Sequence, residues 1–127
     1  MKKILYTLLS ISILIVSLAI AGCGSDGDKY LGTWELKSDN DRANYFVIEK
    51  GDNSNSYLVT YLYIDTEFKK IKVTNKQAGR IDDGILISGG INHILKDGKL
   101  VTNNGNSIYN KINDKPMSAN QILETLK

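Results

Sequence analysis

Short apolar segments separated by turn residues run from Tyr30 to Ile112 and most constrain the fold of this chain. Three dipeptides, Asp83-Gly84, Asp97-Gly98 and Asn104-Gly105, fall within 23 residues. Such pairs favour tight hairpins, because Asp, Asn and Gly tolerate the positive φ angles of two-residue turns. The pattern therefore predicts antiparallel strands joined by short turns.

The apolar residues between these turns alternate with polar ones, as in strands with one buried face. The strongest strand prediction covers Tyr57 to Ile64, which is rich in Tyr, Val, Thr and Ile. The lysine-rich segment from Phe68 to Val73 is expected at an exposed sheet edge, where lysines hinder aggregation. The other predicted strands cover residues 33–36, 45–50, 85–87, 92–95, 100–101 and 108–112. Seven or eight such strands favour a mainly β fold, an antiparallel meander closed as a small barrel or a sandwich.

The strand from Tyr57 to Ile64 is apolar or aromatic on both faces. Its aliphatic face is expected to pack in the core beside Phe46 and Ile48; that face carries Leu58, Thr60, Leu62 and Ile64. The opposite face carries Tyr57, Tyr61 and Tyr63, and tyrosine offers a large contact area with a polar tip. These tyrosines are therefore a candidate partner-binding surface, unless a C-terminal helix or cross-strand packing covers them.

The C-terminal segment after Pro116 departs from the strand pattern. Ser118 followed by Gln121 predicts a capping box, and the apolar residues after it share one helical face, namely Ile122, Leu123 and Leu126. So short a helix is unstable alone in water and is expected to dock on the sheet. The predicted units are a β domain over 30–113 and a helical segment over 114–127.

The N-terminus combines Met1-Lys2-Lys3 with a largely apolar stretch of 18 residues, Ile4 to Ala21, as secretory signals do. The tetrapeptide at the end of this stretch, Ile20-Ala21-Gly22-Cys23, resembles the lipobox of bacterial lipoproteins, with Ile20 where that family usually has Leu. The resemblance implies that residues 1–22 are a signal peptide. It also implies that Cys23 becomes the lipidated first residue of the mature chain and that 23–29 form a flexible tether. The alternative is a plain membrane anchor with a buried thiol.

The lipobox resemblance also implies a location. Lipoproteins carry two or three acyl chains, palmitate among them, and these together anchor a protein firmly. Gly24 follows the cysteine where Asp would mark inner-membrane retention. The expected place is therefore the outer membrane of a Gram-negative cell, or the outer face of the cell membrane of a Gram-positive one. The membrane, through the lipid on Cys23, is the first expected partner.

A second resemblance lies in Tyr30-Leu31-Gly32-Thr33-Trp34. It is similar to the Gly-x-Trp opening of lipocalin-like barrels, and the matching residues are Gly32 and Trp34. In that family the tryptophan packs across the barrel floor and the glycine leaves room for it. The resemblance implies a barrel with a ligand cavity, whereas Trp34 is otherwise simply the largest core residue.

The charge balance argues against nucleic-acid binding. The chain has 16 basic and 14 acidic residues, and removal of Lys2 and Lys3 with the signal leaves 14 of each. A nucleic-acid partner would require a clustered positive surface. The single cysteine excludes an internal disulfide.

No residue pattern predicts catalysis, a metal site or a cofactor. His93 is the only histidine, too few for a zinc site, and is expected to be an ordinary strand residue. A set of Ser88, His93 and Asp82 or Asp83 lacks the nucleophile-elbow pattern. Gly89-Gly90 lacks the features of a phosphate-binding loop and is expected to mark a bulge or bend.

These observations favour a non-enzymatic binding or interaction module of the cell envelope. It would dock a protein partner on an exposed strand edge or aromatic face, and an inhibitor or immunity-type lipoprotein is one version of this function. The alternative is a small lipocalin-like carrier of an apolar ligand. A carrier needs an open apolar cavity of about 300 Å³ or more, whereas an interaction module can have a filled core.

Overall fold

The computed structural model describes residues 27–38, 40–102 and 105–126. A 3₁₀-helix, Asp28–Tyr30, precedes eight strands, and a helix, Ala119–Thr125 (α1), follows them. The strands are Gly32–Ser38 (β1), Arg42–Lys50 (β2), Ser56–Asp65 (β3), Lys70–Asp82 (β4), Ile85–Ser88 (β5), Ile91–Lys96 (β6), Lys99–Thr102 (β7) and Ser107–Asn113 (β8). Each strand pairs antiparallel with the next, and β8 pairs with β1. The predicted mainly β meander is therefore confirmed, and it closes as a barrel.

Two-residue turns join several of the strands. Asp83 and Gly84 have φ angles of 53° and 78°, and Asp97 and Gly98 have 54° and 76°, as the hairpin prediction requires. Gly89-Gly90 is a third such turn, between β5 and β6, with φ angles of 59° and 75°. The expectation of a bulge or bend there is wrong, because two consecutive positive φ angles make a tight hairpin. In the remaining dipeptide, Asn104-Gly105, the asparagine lies outside the described residues.

The barrel has two apolar cores, one on each side of its wall. The inner core lies inside the barrel and consists of Tyr30, Trp34, Phe46, Ile48, Tyr57, Val59, Leu86, Leu100 and Tyr109. The outer core lies between the wall and α1 and consists of Ala43, Tyr45, Val47, Leu62, Ile64 and Ile122. Strands β2 and β3 contribute to both cores, so their wall is buried on both sides.

The structure reverses the predicted faces of β3. Phe46 lies opposite Tyr61 in the β2–β3 register, and Ile48 lies opposite Val59. Directly opposed residues share a face, so the tyrosine side of β3 points into the barrel. The aliphatic side, with Leu62 and Ile64, instead packs under α1. The expectation that the aliphatic face packs beside Phe46 and Ile48 is therefore wrong.

The predicted capping box starts α1. The backbone N–H of Gln121 donates to the Ser118 hydroxyl at 3.2 Å, and the backbone N–H of Ser118 donates to the Gln121 side-chain carbonyl at 2.8 Å. Ile122, one turn into the helix, is completely buried against the barrel wall. The docking stabilises a helix that is too short to persist by itself.

One end of the barrel is closed by the segment that precedes β1. Trp34 donates its indole N–H to the Tyr30 carbonyl at 2.9 Å, and the Tyr30 hydroxyl donates to the carbonyl of Gly84 in the β4–β5 turn at 2.7 Å. Gly32 has a φ of 126°, and a Cβ there would clash with the carbonyl oxygen of Asn113 on β8. These contacts form the floor of the barrel. The β5–β6 turn, Gly89-Gly90, lies at the opposite end, because successive turns of a meander alternate between the two ends.

Strand β4 extends well beyond its neighbour β5. Every residue of β4 except Gly79 and Ile81 is exposed. Strand β5 pairs only with the stretch Gly79–Asp82. The stretch Lys70–Ala78 is paired with β3 on one side and has no strand partner on the other within the described residues. The predicted lysine-rich exposed edge is thus confirmed. Because β5 is so short, the barrel wall is low beside this stretch.

Candidate functional site

A cavity of about 320 Å³ lies inside the barrel, towards the end that is opposite the floor. It is lined by side chains from seven of the strands and by one turn glycine: Phe46, Val59, Tyr61, Asn75, Gln77, Ser88, Gly89, Ile91, His93, Thr102 and Tyr109. The rim residues Asn75, Gln77, Gly89 and Ile91 are exposed, and they lie where the wall is low. Ten of the eleven lining residues are uncharged at neutral pH, and the eleventh, His93, has a titratable ring.

The base of the cavity is aromatic. Phe46 lies at its centre, with its ring centroid 4.8 Å from those of His93 and Tyr109 and 5.4 Å from that of Tyr61. The Phe46 and His93 rings meet edge to face at 87°. Such contacts fix the ring orientations, because aromatic edges and faces carry opposite partial charges. The cavity therefore has a pre-formed apolar base.

His93 is 1% exposed and is oriented by the neighbouring strand. Its Nδ1 lies 3.1 Å from the backbone carbonyl oxygen of Leu86, opposite it on β5. A carbonyl oxygen only accepts, so Nδ1 carries the proton and Nε2 presents a lone pair. Nε2 is buried and has no hydrogen-bond partner among the described residues. Burial lowers the pKa of His93, against weaker opposing effects of the Leu86 and Ile91 carbonyls, and this favours the neutral ring.

Two tyrosine hydroxyl groups add polarity to the apolar site. Tyr61 donates to the side-chain carbonyl of Asn44 at 3.0 Å. Burial raises the pKa of Tyr61, with a smaller effect of the nearby Tyr63, and burial likewise raises the pKa of Tyr109, with a smaller effect of Tyr61. Both phenols therefore stay protonated at neutral pH, and the site contains no fixed charge from them.

The three predicted partner-binding tyrosines lie in different surroundings. Tyr57 is 1% exposed in the inner core, and Tyr61 lines the cavity. Tyr63 lies beyond the cavity in a surface hollow, with the Arg42 guanidinium 6.0 Å from its ring centroid. The strand thus does not present them as one continuous outer surface, and a partner-binding role for them stays a prediction. Cys23 lies outside the described residues.

Sequence reasoning missed His93 as a cavity residue. On β6 the apolar Ile94 faces outwards and is 44% exposed, whereas the polar His93 faces inwards. The inward face of β6 also carries Ile91 and Leu95, so alternation over the whole strand gives the right face, and only the pair His93 and Ile94 runs against it. A second available signal was the position of a lone histidine within a predicted strand.

Two polar side chains of the cavity, Ser88 and His93, each bond to the backbone. The Ser88 hydroxyl donates to the Ala78 carbonyl at 3.0 Å, and His93 Nδ1 is engaged by Leu86, so each is bound to backbone. Within residues 27–38, 40–102 and 105–126, no group of three or more His, Cys, Asp or Glu side chains is placed to hold a metal ion. No helix in the same ranges is long and apolar enough to cross a membrane.

Comparison with protein-family models gives no match, and comparisons with curated proteins and with solved structures give none either. The geometry of the cavity is therefore the basis for any functional conclusion. A small barrel of this kind is compatible with a binding module or with a lipocalin-like carrier.

Proposed function

We propose that this protein is a lipid-anchored envelope protein whose barrel binds a small apolar molecule. The cavity carries the proposal. Its volume of about 320 Å³ reaches the lower limit of known ligand sites, its base is aromatic, and a few polar groups converge on it. A barrel with a filled core, as an interaction module can have, needs no such space.

The end of the barrel at which the described chain begins supports this function at a membrane surface. The described chain reaches the barrel at Gly27 and forms the floor, whereas the cavity lies towards the other end. If Cys23 is acylated, the four residues to Gly27 span at most about 14 Å, so the floor faces the bilayer. The mouth of the cavity then opens away from the membrane, where a ligand in the aqueous phase can reach it.

Binding of neutral aromatic compounds to the chain from Gly24 onwards tests the proposal. This stretch includes every described element of the barrel and omits the lipid, which would itself absorb such compounds. We expect saturable binding of 2-naphthol by calorimetry. Val59→Phe should abolish binding, because Val59 lines the cavity and the larger ring would fill it.

Val73→Phe is the matched control, since Val73 is exposed on β4 outside the cavity, and it should bind as the unmodified chain does. Circular dichroism verifies that both variants fold. The absence of saturable binding, or equal binding by Val59→Phe, would refute the carrier function.

The unpaired edge of β4 favours a second candidate function, the docking of a protein partner. Phe68, in the turn before this edge, is 64% exposed, and Val73 on the edge is exposed as well. A photo-crosslinking residue at Thr74 on the edge, compared with one at Asn92 on β6, tests this function in intact cells. One defined crosslinked protein at Thr74 alone would support docking, and identical patterns at both positions would argue against it.

A further inference from the structure

The buried Nε2 atom of His93 is the one polar atom of the described side chains that is both buried and without a hydrogen bond. Burial removes water from an acceptor, and without a new partner this costs free energy. Native interiors satisfy nearly all such atoms, so an exception inside a ligand-sized cavity points to a partner that binds from outside the chain. The complement of a lone pair is a hydrogen-bond donor.

The orientation of the ring is set before any ligand binds. Leu86 holds Nδ1 at 3.1 Å from the β5 wall, and the Phe46 ring meets the imidazole edge to face. His93 lines the cavity, and the geometry of the ring places Nε2 on the side away from Nδ1, which the wall strand engages. Nε2 itself is covered by neighbouring atoms, so a donor in the cavity reaches it once those atoms shift and then meets an acceptor of fixed tautomer.

The rest of the lining restricts the ligand further. A charged ligand would lose its hydration in a site with no opposite charge, and this favours a neutral one. Three aromatic rings at the base, Phe46, Tyr61 and Tyr109, complement a flat aromatic body. The volume of about 320 Å³ is small for a ligand site and suits a compact molecule rather than a long acyl chain.

We infer that the ligand of this cavity is a neutral aromatic molecule of one or two rings, with a hydroxyl or N–H group that donates to His93 Nε2. This inference rests on the proposed function and specifies its ligand class. Binding would place the aromatic body against Phe46 and the donor on the imidazole. An apolar molecule without a donor would leave Nε2 unpaired and bind less tightly.

A pair of ligands that differ in the donor alone tests this. 2-Naphthol carries a hydroxyl donor, and 2-methoxynaphthalene has the same rings with the donor blocked. We expect 2-naphthol to bind about tenfold more tightly by calorimetry. In His93→Phe, which keeps a flat ring but has no acceptor, the two affinities should become equal.

A second measurement needs no variant. His93 is the only histidine, so its ring nitrogens give the only imidazole signals in a ¹⁵N spectrum. Saturation with 2-naphthol should move the Nε2 resonance, as hydrogen bonding to a lone pair does, and 2-methoxynaphthalene should move it much less.

The outcomes separate the two claims. Equal affinities of the two compounds in the unmodified chain, with an Nε2 resonance that 2-naphthol does not move, would overturn the role of His93 and leave the carrier function intact. The absence of saturable binding by either compound would overturn the carrier function itself, and this inference with it.

Discussion

Trp34 donates its indole N–H to the backbone carbonyl of Tyr30, 2.9 Å away and four residues earlier in the chain. The bond lets the largest side chain of the inner core lie buried with its one polar atom satisfied. Tyr30 in turn donates to the Gly84 carbonyl at 2.7 Å. The first residues of the described chain are thereby tied to the β4–β5 turn, and the barrel floor depends on Trp34.

Replacement of Trp34 by alanine should therefore lower the free energy of unfolding by about 3–5 kcal/mol, because a side chain that is 2% exposed leaves a large cavity. Urea denaturation of the chain from Gly24 measures the change. Phe68→Ala is the control, since that ring is largely exposed and its loss should alter stability by about 0.5 kcal/mol or less. A loss below about 1 kcal/mol for Trp34→Ala would contradict the packing role.

Ile122→Ala tests the docking of α1. We expect a loss of about 2–5 kcal/mol, because Ile122 is completely buried against Leu62, Ile64 and the other residues of the outer core. Asn120→Ala, at an exposed position of the same helix, should have little effect. Equal stabilities of the two variants in urea denaturation would show that α1 does not contribute to the fold.

Acidification should destabilise the protein through His93. Burial lowers the pKa of His93, whereas the ring takes up a proton near pH 6.5 in the unfolded chain. Below that pH the unfolded state binds more protons than the native state, so the free energy of unfolding falls until the native ring is also protonated. Urea denaturation of His93→Phe should show a shallower decline between about pH 6.5 and 5, a range above the ordinary titration of carboxylates. Parallel declines would contradict the burial of a neutral imidazole.

Cys23→Ser should abolish lipidation and release the protein from membranes, because only a thiol accepts the diacylglycerol of the lipoprotein pathway. Metabolic labelling with a fatty-acid analogue, followed by membrane fractionation, measures both effects. The unmodified chain expressed in the same cells is the control. Label that persists on the Cys23→Ser protein would refute the lipobox assignment.

Local chemistry made most strand positions predictable. Asp83-Gly84 and Asp97-Gly98 supply positive φ angles that few other dipeptides allow, and the strands between them follow from alternation. The capping box of α1 was equally readable, since Ser118 and Gln121 act over one helical turn. The second half of β4 was missed, because its exposed polar residues, such as Asn75 and Lys76, carry no apolar alternation.

The faces of the strands were decided only by the tertiary structure. In β3 both faces are apolar, so the sequence leaves open which side points into the barrel, and the position of α1 under Leu62 and Ile64 settles it. In β6 the exposed Ile94 and the buried His93 contradict the usual preference, because closure of the barrel fixes which side of each strand faces inwards. Turns and caps depend on neighbours a few residues apart, whereas a cavity and an unpaired nitrogen within it depend on strands that meet only after closure.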